Sequence, residues 1–294
     1  MTPLPTPAAS RLLRAPPFPG MANAMHMFSP LPEVDAPTGD TRTALFRSVS
    51  NARVGGSYWS EPIAPLAIDT AIRPRSASEA AELRARFGAE KTICIGHPHA
   101  SPLKTAALDY GADIDPWAVL SQTGKLVAHG DDEWVALATI AGIHVQVLSP
   151  GRYGEPGDDG ETLKNRAAIA LAEPMRDPFS DGWLEPAKAI ELLADWRRVI
   201  DANRGTAGQT IVAACGISWW KREEIRRFLW VPGEPLKIAR TSAGALAVAE
   251  ARGGALAVWP SRISKSLLAN AEKRGVPIVR VEDGFVRSVG LGSN

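Results

Sequence analysis

The sequence predicts an α/β protein built from two Rossmann-like halves with parallel sheets. Short apolar runs alternate with longer helical stretches from about residue 60 onward, and residues 205–294 show this alternation most regularly. A composition of 45% hydrophobic and 22% charged residues is typical of a soluble globular protein. At 294 residues, the chain is long enough for one large domain or two ordinary ones.

The first predicted domain covers 41–204 and follows a Pro-rich start. Nine of the 24 prolines lie within residues 1–40, which show no helix or strand periodicity, so we predict a disordered tail there. Ser76 or Ser78 is placed to cap the first helix. The predicted helices cover 76–87, 101–110, a short segment from 115, 131–141, 162–172 and 186–203, and the strands cover 92–95, 125–128 and 143–148.

The second predicted domain covers 205–294 and begins in a Gly-rich boundary. It carries 13 Lys and Arg against 7 Asp and Glu, a net charge of +6, whereas residues 1–204 carry 20 against 25. Either an anionic partner on one side or an incidental imbalance accounts for this asymmetry. The predicted strands cover 210–215, 236–239, 255–259 and 276–281, and the helices cover 221–230, 243–252 and 264–274.

Several protein classes are excluded by what the sequence lacks. Cys94 and Cys215 lie in apolar runs without metal-like spacing, which argues against a disulfide framework or a zinc site and for a cytoplasmic protein. No apolar stretch approaches the roughly 20 residues that cross a bilayer. The P-loop, the strand-linked GxGxxG, GxSxG and HExxH motifs are also absent. We therefore expect no cofactor, no metal and no nucleic-acid partner.

Residues that can carry chemistry follow three of the predicted strands, at the carboxyl ends where open parallel sheets bind ligands. His97 and Pro98 follow the strand 92–95. An imidazole there could donate to a phosphate or a leaving oxygen, although a hydrogen-bonded structural role is the plainer alternative. Trp220 and Lys221 follow the strand 210–215. The tryptophans at that point either stack on a ligand ring or pack at the helix entry.

The loop after the last predicted strand combines the most functional groups. Glu282 and Asp283 could supply a general acid or base, and Arg287 could bind an anion with two donors. Gly284 allows close backbone approach, and Ser288 adds a hydroxyl. The alternative is a turn in which the carboxylates cap backbone N–H groups and Arg287 pairs with one of them.

Two strings in the second domain carry a resemblance to a known family. They are GISWWKR at 216–222 and VEDGFVRSVGLGS at 281–293, and they resemble the capsular polysaccharide export and biosynthesis proteins of the KpsC type. That resemblance implies a GT-B-like fold and a glycosyltransferase that transfers β-linked Kdo from CMP-Kdo to a lipid acceptor. The site residues are then catalytic Glu282, Asp283 and His97, with Gly284, Arg287, Ser288, Trp220, Lys221 and Pro98 binding substrate.

The first domain is similar in layout to the family's donor-binding half but departs from its residues. Asp131 and Asp132 stand where hydroxyls are expected, and these carboxylates would repel an anionic donor. Leu137 stands where a glutamate is expected. Since the sequence ends at Asn294, soon after the signature loop, we expect the second module to be incomplete. The alternative function is therefore a non-catalytic capsule-assembly or scaffold protein with a degenerate nucleotide site.

The resemblance also implies partners and a location. The partners are a CMP-sugar donor, an anionic glycolipid or phospholipid acceptor, the inner-membrane surface and capsule assembly proteins. The protein would be cytoplasmic and peripheral to the inner membrane. Four cations lie within seven residues and predict a basic helical face that could contact anionic lipid. These cations are Lys221, Arg222, Arg226 and Arg227.

Overall fold

The computed structural model describes residues 11–19, 35–97, 108–180, 182–205 and 209–282. The chain divides into two compact units, Met1–Arg197 and Arg198–Asn294. This boundary lies inside a long helix. The sequence instead predicts a boundary in the Gly-rich stretch that follows the helix. Each unit contains a parallel four-stranded sheet flanked by helices, which confirms the predicted α/β class with two Rossmann-like halves.

The first unit alternates helices with the strands of one parallel sheet and ends in a small antiparallel pair and a long helix. Its elements are α1 (Gly39–Ala52), β1 (Thr70–Ile72), α2 (Ala77–Phe87), β2 (Thr92–Cys94), α3 (Pro116–Leu120), β3 (Lys125–Ala128), α4 (Glu133–Ile140), β4 (His144–Val147), α5 (Gly160–Ala172), β5 (Met175–Arg176), β6 (Trp183–Leu184) and α6 (Pro186–Gly205). The sheet order is β2-β1-β3-β4. Thr70 of β1 lies opposite Thr92 on one side and Lys125 on the other.

Polar side chains fix where several helices of this unit begin. The hydroxyl of Ser76 accepts the N–H of Glu79 and caps α2, as the sequence predicts. The carboxylate of Asp132 accepts the N–H of Trp134 and caps α4. Capping satisfies N–H groups that have no partner inside the helix, so these residues fix where the helices begin. The caps of α2 and α4 matter for function because both lie near the carboxyl ends of the strands.

The Pro-rich N-terminal segment differs from the prediction of a disordered tail. Residues 11–19 pack onto the first unit, where Leu12 and Leu13 are 0% and 2% exposed. Both terminal nitrogens of the Arg14 guanidinium donate to the carboxylate of Glu133, with Nη2 2.8 Å from Oε1. The physical reason is local, because two adjacent leucines provide apolar burial that the average composition of residues 1–40 conceals.

The second unit repeats the alternation of strands and helices. Its elements are β7 (Ile211–Cys215), α7 (Arg222–Phe228), β8 (Lys237–Ile238), α8 (Ser242–Ala251), β9 (Ala255–Val258), α9 (Lys265–Lys273) and β10 (Ile278–Arg280). The sheet order is β10-β9-β7-β8, with all pairs parallel. The predicted helix over 221–230 is a 3-10 turn, Trp219–Lys221, followed by α7.

The two sheets share one topology. In each, the first strand lies between the second and the third, so β1 neighbours β2 and β3, and β7 neighbours β8 and β9. The chain passes from the first strand to the neighbour on one side and then crosses over to the neighbour on the other side. This reversal opens a crevice beyond the carboxyl ends of the first and third strands. Each unit is therefore expected to bind ligands at these strand ends.

Two further properties of the described residues bear on function. None of their helices combines the length and apolar character that crossing a membrane requires. Cys94 in β2 and Cys215 in β7 are buried free thiols, and burial raises the pKa of Cys94 to about 11. A thiol with a raised pKa is a poor nucleophile at neutral pH, so Cys94 acts as a packed core residue.

Candidate functional site

Polar side chains gather where the strands of the first unit end. Arg73 follows β1, His97 lies shortly after β2, His129 follows β3, and Ser149 lies shortly after β4. Arg73, His97 and His129 are 1%, 4% and 6% exposed. Since β1 and β3 flank the expected crevice, this cluster occupies the ligand-binding edge of the first sheet.

Arg73 is held by an ion pair and an aromatic ring. Its Nε lies 2.5 Å from Oδ2 of Asp132, and both side chains are 2% exposed. Its guanidinium carbon lies 4.2 Å from the centroid of the Trp134 ring, a favourable cation–π arrangement. The Nη1 atom is buried without a hydrogen-bond partner among the described residues. Leaving a buried donor without an acceptor costs free energy, so a ligand oxygen that accepts from this atom would be stabilised there.

The two histidines of the cluster have different partners. The Nε2 atom of His97 lies 3.6 Å from Oδ2 of Asp132. For His129, Nδ1 is 2.9 Å from the hydroxyl of Ser149 and Nε2 is 3.2 Å from Oε2 of Glu79. Burial lowers the pKa of His97, and the carboxylate of Asp132 offsets this only in part. The imidazole of His97 is therefore neutral at neutral pH and can donate or accept a hydrogen bond without carrying charge.

The carboxylates of Asp131 and Asp132 are both paired with arginines. Asp131 forms an ion pair with Arg75, and Asp132 forms one with Arg73. The expected repulsion of an anionic donor is therefore offset, because each negative charge has a cation beside it. Although acidic and imidazole groups are dense here, the described part of the chain brings no three His, Cys, Asp or Glu residues together as a metal site.

Leu137 occupies a core position. Its side chain is 0% exposed, and a Cβ added to Gly56 would lie 2.9 Å from Leu137 Cδ1. The backbone of Gly56 has φ of 58°, and its neighbour Gly55 has φ of 97°. This glycine pair lets the chain pass directly over Leu137. The position where the family resemblance implies a glutamate therefore serves packing in this protein.

In the second unit, indole rings and a lysine gather beyond β7 and β9. Trp219 is 79% exposed and Trp220 is 58% exposed. The Nζ atom of Lys221 lies 4.8 Å from the centroid of the Trp220 ring and 4.5 Å from that of Trp259. Since neither Trp219 nor Trp220 is buried, packing at the helix entry does not account for them. Both rings therefore leave surface open to a ligand, although the ammonium of Lys221 covers part of Trp220.

Gly216 brings the two loops of this edge together. Its φ of 74° lies in the left-handed region, and an added Cβ would lie 2.7 Å from Cβ of Arg262. Glycine alone meets both requirements without strain. The turn that follows β7 can therefore pack against the 3-10 turn Pro260–Arg262, which follows β9.

Glu282 lies at the same edge of the second sheet. It is exposed and follows Val281, whose N–H donates to the carbonyl of Val258 at 3.1 Å. The structure thus brings Glu282, Trp220 and Lys221 to one sheet edge, whereas His97 lies at the sheet edge of the first unit. The other predicted site residues fall outside the described residues. These are Pro98, Asp283, Gly284, Arg287 and Ser288.

Sequence reasoning missed three residues of the first cluster, Arg73, His129 and Ser149, and also Glu79, which contacts His129. His129 and Ser149 follow predicted strands, so the rule that ligands bind at carboxyl ends of strands could have found both. Arg73 follows β1, whose three residues are too few to show a strand pattern. Glu79 reaches His129 only because α2 folds back over the sheet, which no local pattern reveals.

The basic face predicted on 221–230 carries less free charge than its composition suggests. Arg226 and Arg227 each lie 3.4 Å from a carboxylate oxygen of Glu223. Lys221 lies between two aromatic rings. Exposed ion pairs contribute about 1 kcal/mol or less, so the arginines can exchange Glu223 for another anion.

Comparison with known proteins gives a partial match. No protein-family model matches the sequence. The chain is 33% identical over 105 residues to the capsule polysaccharide modification protein LipA of Neisseria meningitidis serogroups A and B, which covers 36% of this chain and 14% of each relative. The solved structure of Thermosulfurimonas dismutans KpsC, a β-Kdo 2,7 transferase, matches 54% of this chain and 63% of that chain, with a TM-score of 0.35 and 11% identity. Similarity at that structural level carries no inference about activity. The match to LipA confirms the resemblance to capsule polysaccharide proteins.

Proposed function

We propose that this chain, similar over part of its length to a capsule polysaccharide modification protein, acts in capsular polysaccharide biosynthesis or export. The observation that carries the proposal is the 33% identity to LipA over 105 residues. More specifically, we propose a Kdo-transferase-like glycosyltransferase that uses CMP-Kdo as donor and an anionic glycolipid or phospholipid as acceptor. No cofactor beyond the donor substrate is part of this proposal.

The geometry of the two sheet edges supports distinct roles for the site residues. Glu282, with Asp283, would act as the acid or base, because its exposed carboxylate lies at a ligand-binding edge. His97 would contact the donor phosphate or the leaving group. Being neutral at neutral pH, it would do so as a hydrogen-bond partner and not as a cation. Within the same proposal, substrate is bound by Pro98, Trp220, Lys221, Gly284, Arg287 and Ser288.

A transfer assay tests this function. Purified protein is incubated with CMP-Kdo and a glycolipid acceptor, and product is detected by mass spectrometry. Glu282→Gln is expected to lower the rate about 100-fold or more, the usual contribution of a positioned acid or base. Glu272→Gln, at an exposed site on α9, is the matched control and should leave the rate unchanged. If Glu282→Gln also retains the full rate, the proposed role of that carboxylate is wrong.

A non-catalytic role in capsule assembly is the second proposed function. Two observations favour it: the carboxylate of Asp132 at the edge of the first sheet is paired with Arg73, and Leu137 is buried where the family resemblance implies a glutamate. Calorimetric titration with CMP separates the two functions. Heat of binding that is lost in His97→Ala supports the transferase, whereas no heat and no thermal shift at millimolar CMP supports the assembly role.

We also propose that the protein works at the inner-membrane surface beside capsule assembly proteins. Lys221, Arg222, Arg226 and Arg227 would contact anionic lipid, each contributing on the order of 1 kcal/mol. Co-sedimentation with vesicles containing phosphatidylglycerol, at low and physiological salt, tests this contact. A variant with all four residues changed to Gln should bind less, and equal binding by both proteins would contradict the proposal.

A further inference from the structure

The N-terminal segment, residues 11–19, reaches the start of α4 at the ligand-binding edge of the first unit. Both terminal nitrogens of Arg14 donate to the carboxylate of Glu133, at 2.5 Å from Oε2 and 2.8 Å from Oε1. Glu133 is the first residue of α4. The side chains of Arg14 and Glu133 are 21% and 15% exposed, so solvent screens this two-pronged ion pair only in part. The N-terminal segment is therefore tied to the first turn of α4.

Further contacts fix where Arg14 lies. Its Nη2 atom also donates to the hydroxyl of Ser57 at 3.0 Å, and the N–H of Gly56 donates to the carbonyl of Leu12 at 2.9 Å. A Cβ added to Gly56 would lie 3.0 Å from Oε1 of Glu133. The turn after α1 therefore contacts the N-terminal segment and Glu133 at once. Since Leu12 is 0% exposed, apolar burial anchors the segment in this position.

The residue that precedes Glu133 belongs to the candidate site. Asp132 caps α4 by accepting the N–H of Trp134. Its Oδ2 atom pairs with Arg73 and lies 3.6 Å from Nε2 of His97. Two adjacent residues at one helix start thus hold different partners, because Glu133 binds the N-terminal segment and Asp132 binds the site. A planar peptide bond joins the two residues, so a displacement of one moves the other.

We propose that Arg14 is a positioning residue for the ligand-binding edge of the first unit. By holding Glu133, it fixes the first turn of α4, so that Asp132 keeps Arg73 and His97 in the arrangement that a ligand meets. Arg14 acts through these residues and not by touching the ligand. This role goes beyond the proposed function, because it makes the N-terminal segment part of the binding machinery whichever ligand that edge takes.

Hydrogen exchange in the full chain tests this role. The amides of Trp134 and Val135 donate to the side chain and to the carbonyl of Asp132, so their exchange reports on the first turn of α4. Arg14→Gln should speed exchange at these two amides at least about tenfold relative to wild type. The amide of Ala141, which donates at the other end of α4, should exchange as in wild type.

Three further variants separate positioning from general stability. Glu133→Gln should have the same local effect, because it removes the charge that Arg14 binds while keeping the shape of the side chain. Arg14→Lys should restore part of the protection, since lysine keeps the charge but donates from a single point. Arg42→Gln is the matched control, because Arg42 pairs at 2.9 Å with Glu161 in the first turn of another helix, α5. It should leave exchange in α4 unchanged.

Titration with CMP connects this role to binding, and this arm of the test rests on the proposed function. If wild-type protein binds CMP, Arg14→Gln should weaken binding about tenfold. Arg14→Lys should recover part of that loss, and Arg42→Gln should bind like wild type. If wild-type protein does not bind CMP, the proposed donor is wrong, and hydrogen exchange alone decides the role of Arg14.

Three outcomes would overturn the positioning role. The first is equally faster exchange at both ends of α4 in Arg14→Gln, because the contact would then contribute only general stability. The second is wild-type exchange at the amides of Trp134 and Val135. The third is equal binding of CMP by wild type and Arg14→Gln. Circular dichroism should show that the variants fold, and if Arg14→Gln does not, Glu133→Gln and Arg14→Lys decide by the same measurements.

Discussion

The side chains of Arg73 and Asp132 form a buried ion pair between β1 and the start of α4, with Nε and Oδ2 2.5 Å apart. Both side chains are 2% exposed, so water screens neither charge. The pair joins two segments that flank the ligand crevice of the first unit. Its integrity therefore governs both the stability of that unit and the shape of the crevice.

Asp132→Asn should strongly destabilise the first unit. Asparagine caps a helix as well as aspartate does, so the loss reports the uncompensated charge of Arg73 and not the cap. We expect the free energy of unfolding to fall by about 3–5 kcal/mol in urea denaturation. Asp131→Asn removes the partly exposed partner of Arg75 and should cost about 1 kcal/mol or less. If the two variants lose the same free energy of unfolding, Asp132 is not the partner that compensates the buried charge of Arg73.

The stability of the protein should depend on pH through His97. Burial lowers the pKa of His97 from the ordinary value of 6.5. The unfolded chain therefore binds a proton near that pH while the folded chain resists it, so stability falls as the pH decreases below about 6.5 and is unaffected above it. His97→Gln should reduce this dependence in denaturation curves measured between about pH 7 and pH 5.

The matched control for that experiment is His144→Gln, at an exposed position in β4. It should keep the wild-type pH dependence. A His97→Gln variant whose stability still falls with pH as steeply as wild type would show that another group is responsible.

Leu12→Ala should destabilise the first unit although it lies in a Pro-rich segment. The side chain is 0% exposed, and truncating a buried leucine costs about 2–5 kcal/mol through lost burial and the cavity that remains. Leu66→Ala, at a site that is 37% exposed, should cost about 0.5 kcal/mol or less. Chemical denaturation of both variants measures the difference, and similar small losses would mean that the segment contributes no stability.

Gly216→Ala should destabilise the second unit more than Gly253→Ala does. Both glycines have positive φ, at 74° and 61°, so alanine pays a conformational cost of about 1–2 kcal/mol at either site. Only at Gly216 would the new Cβ also meet Arg262, at 2.7 Å, whereas nothing lies within 4 Å at Gly253. Thermal unfolding should show an additional loss of about 1–3 kcal/mol for Gly216→Ala. Equal melting temperatures would mean that the turn after β7 and the turn Pro260–Arg262 can move apart to admit the new Cβ without loss of stability.

The fold was predictable where the chain shows clear periodicity. The regular strands and helices after residue 205 appear with ends shifted by a few residues, as in the predicted strand 255–259 and the observed β9. Two elements ahead of residue 76 escaped prediction, the 14-residue helix α1 and the three-residue strand β1. Neither shows the clear alternation of the later elements, whereas the equally short strands β2 and β10 lie in apolar runs and were predicted. The tail prediction was wrong for residues 11–19 because average composition hides a pair of buried leucines.

The candidate site was predictable only where one residue follows one strand. His97, Lys221 and Glu282 were found by that rule, and the structure places each at a sheet edge. The pairing of Asp132 with Arg73 joins residues 59 positions apart, so no local pattern could reveal that its charge is offset. The exposure of Trp219 likewise depends on the side of the turn on which its ring lies, and the sequence does not specify that side.

The N-terminal contacts of the first unit constrain how it folds during synthesis. Arg11 donates to the carbonyl of Pro174 across 163 positions, and Arg14 reaches Glu133 across 119 positions. Residues 11–14 are therefore synthesised well before the partners that they contact in the folded unit. Contacts of such high sequence separation slow folding, because the intervening chain must first be ordered. The first unit can therefore complete its N-terminal contacts only after Pro174 has been translated.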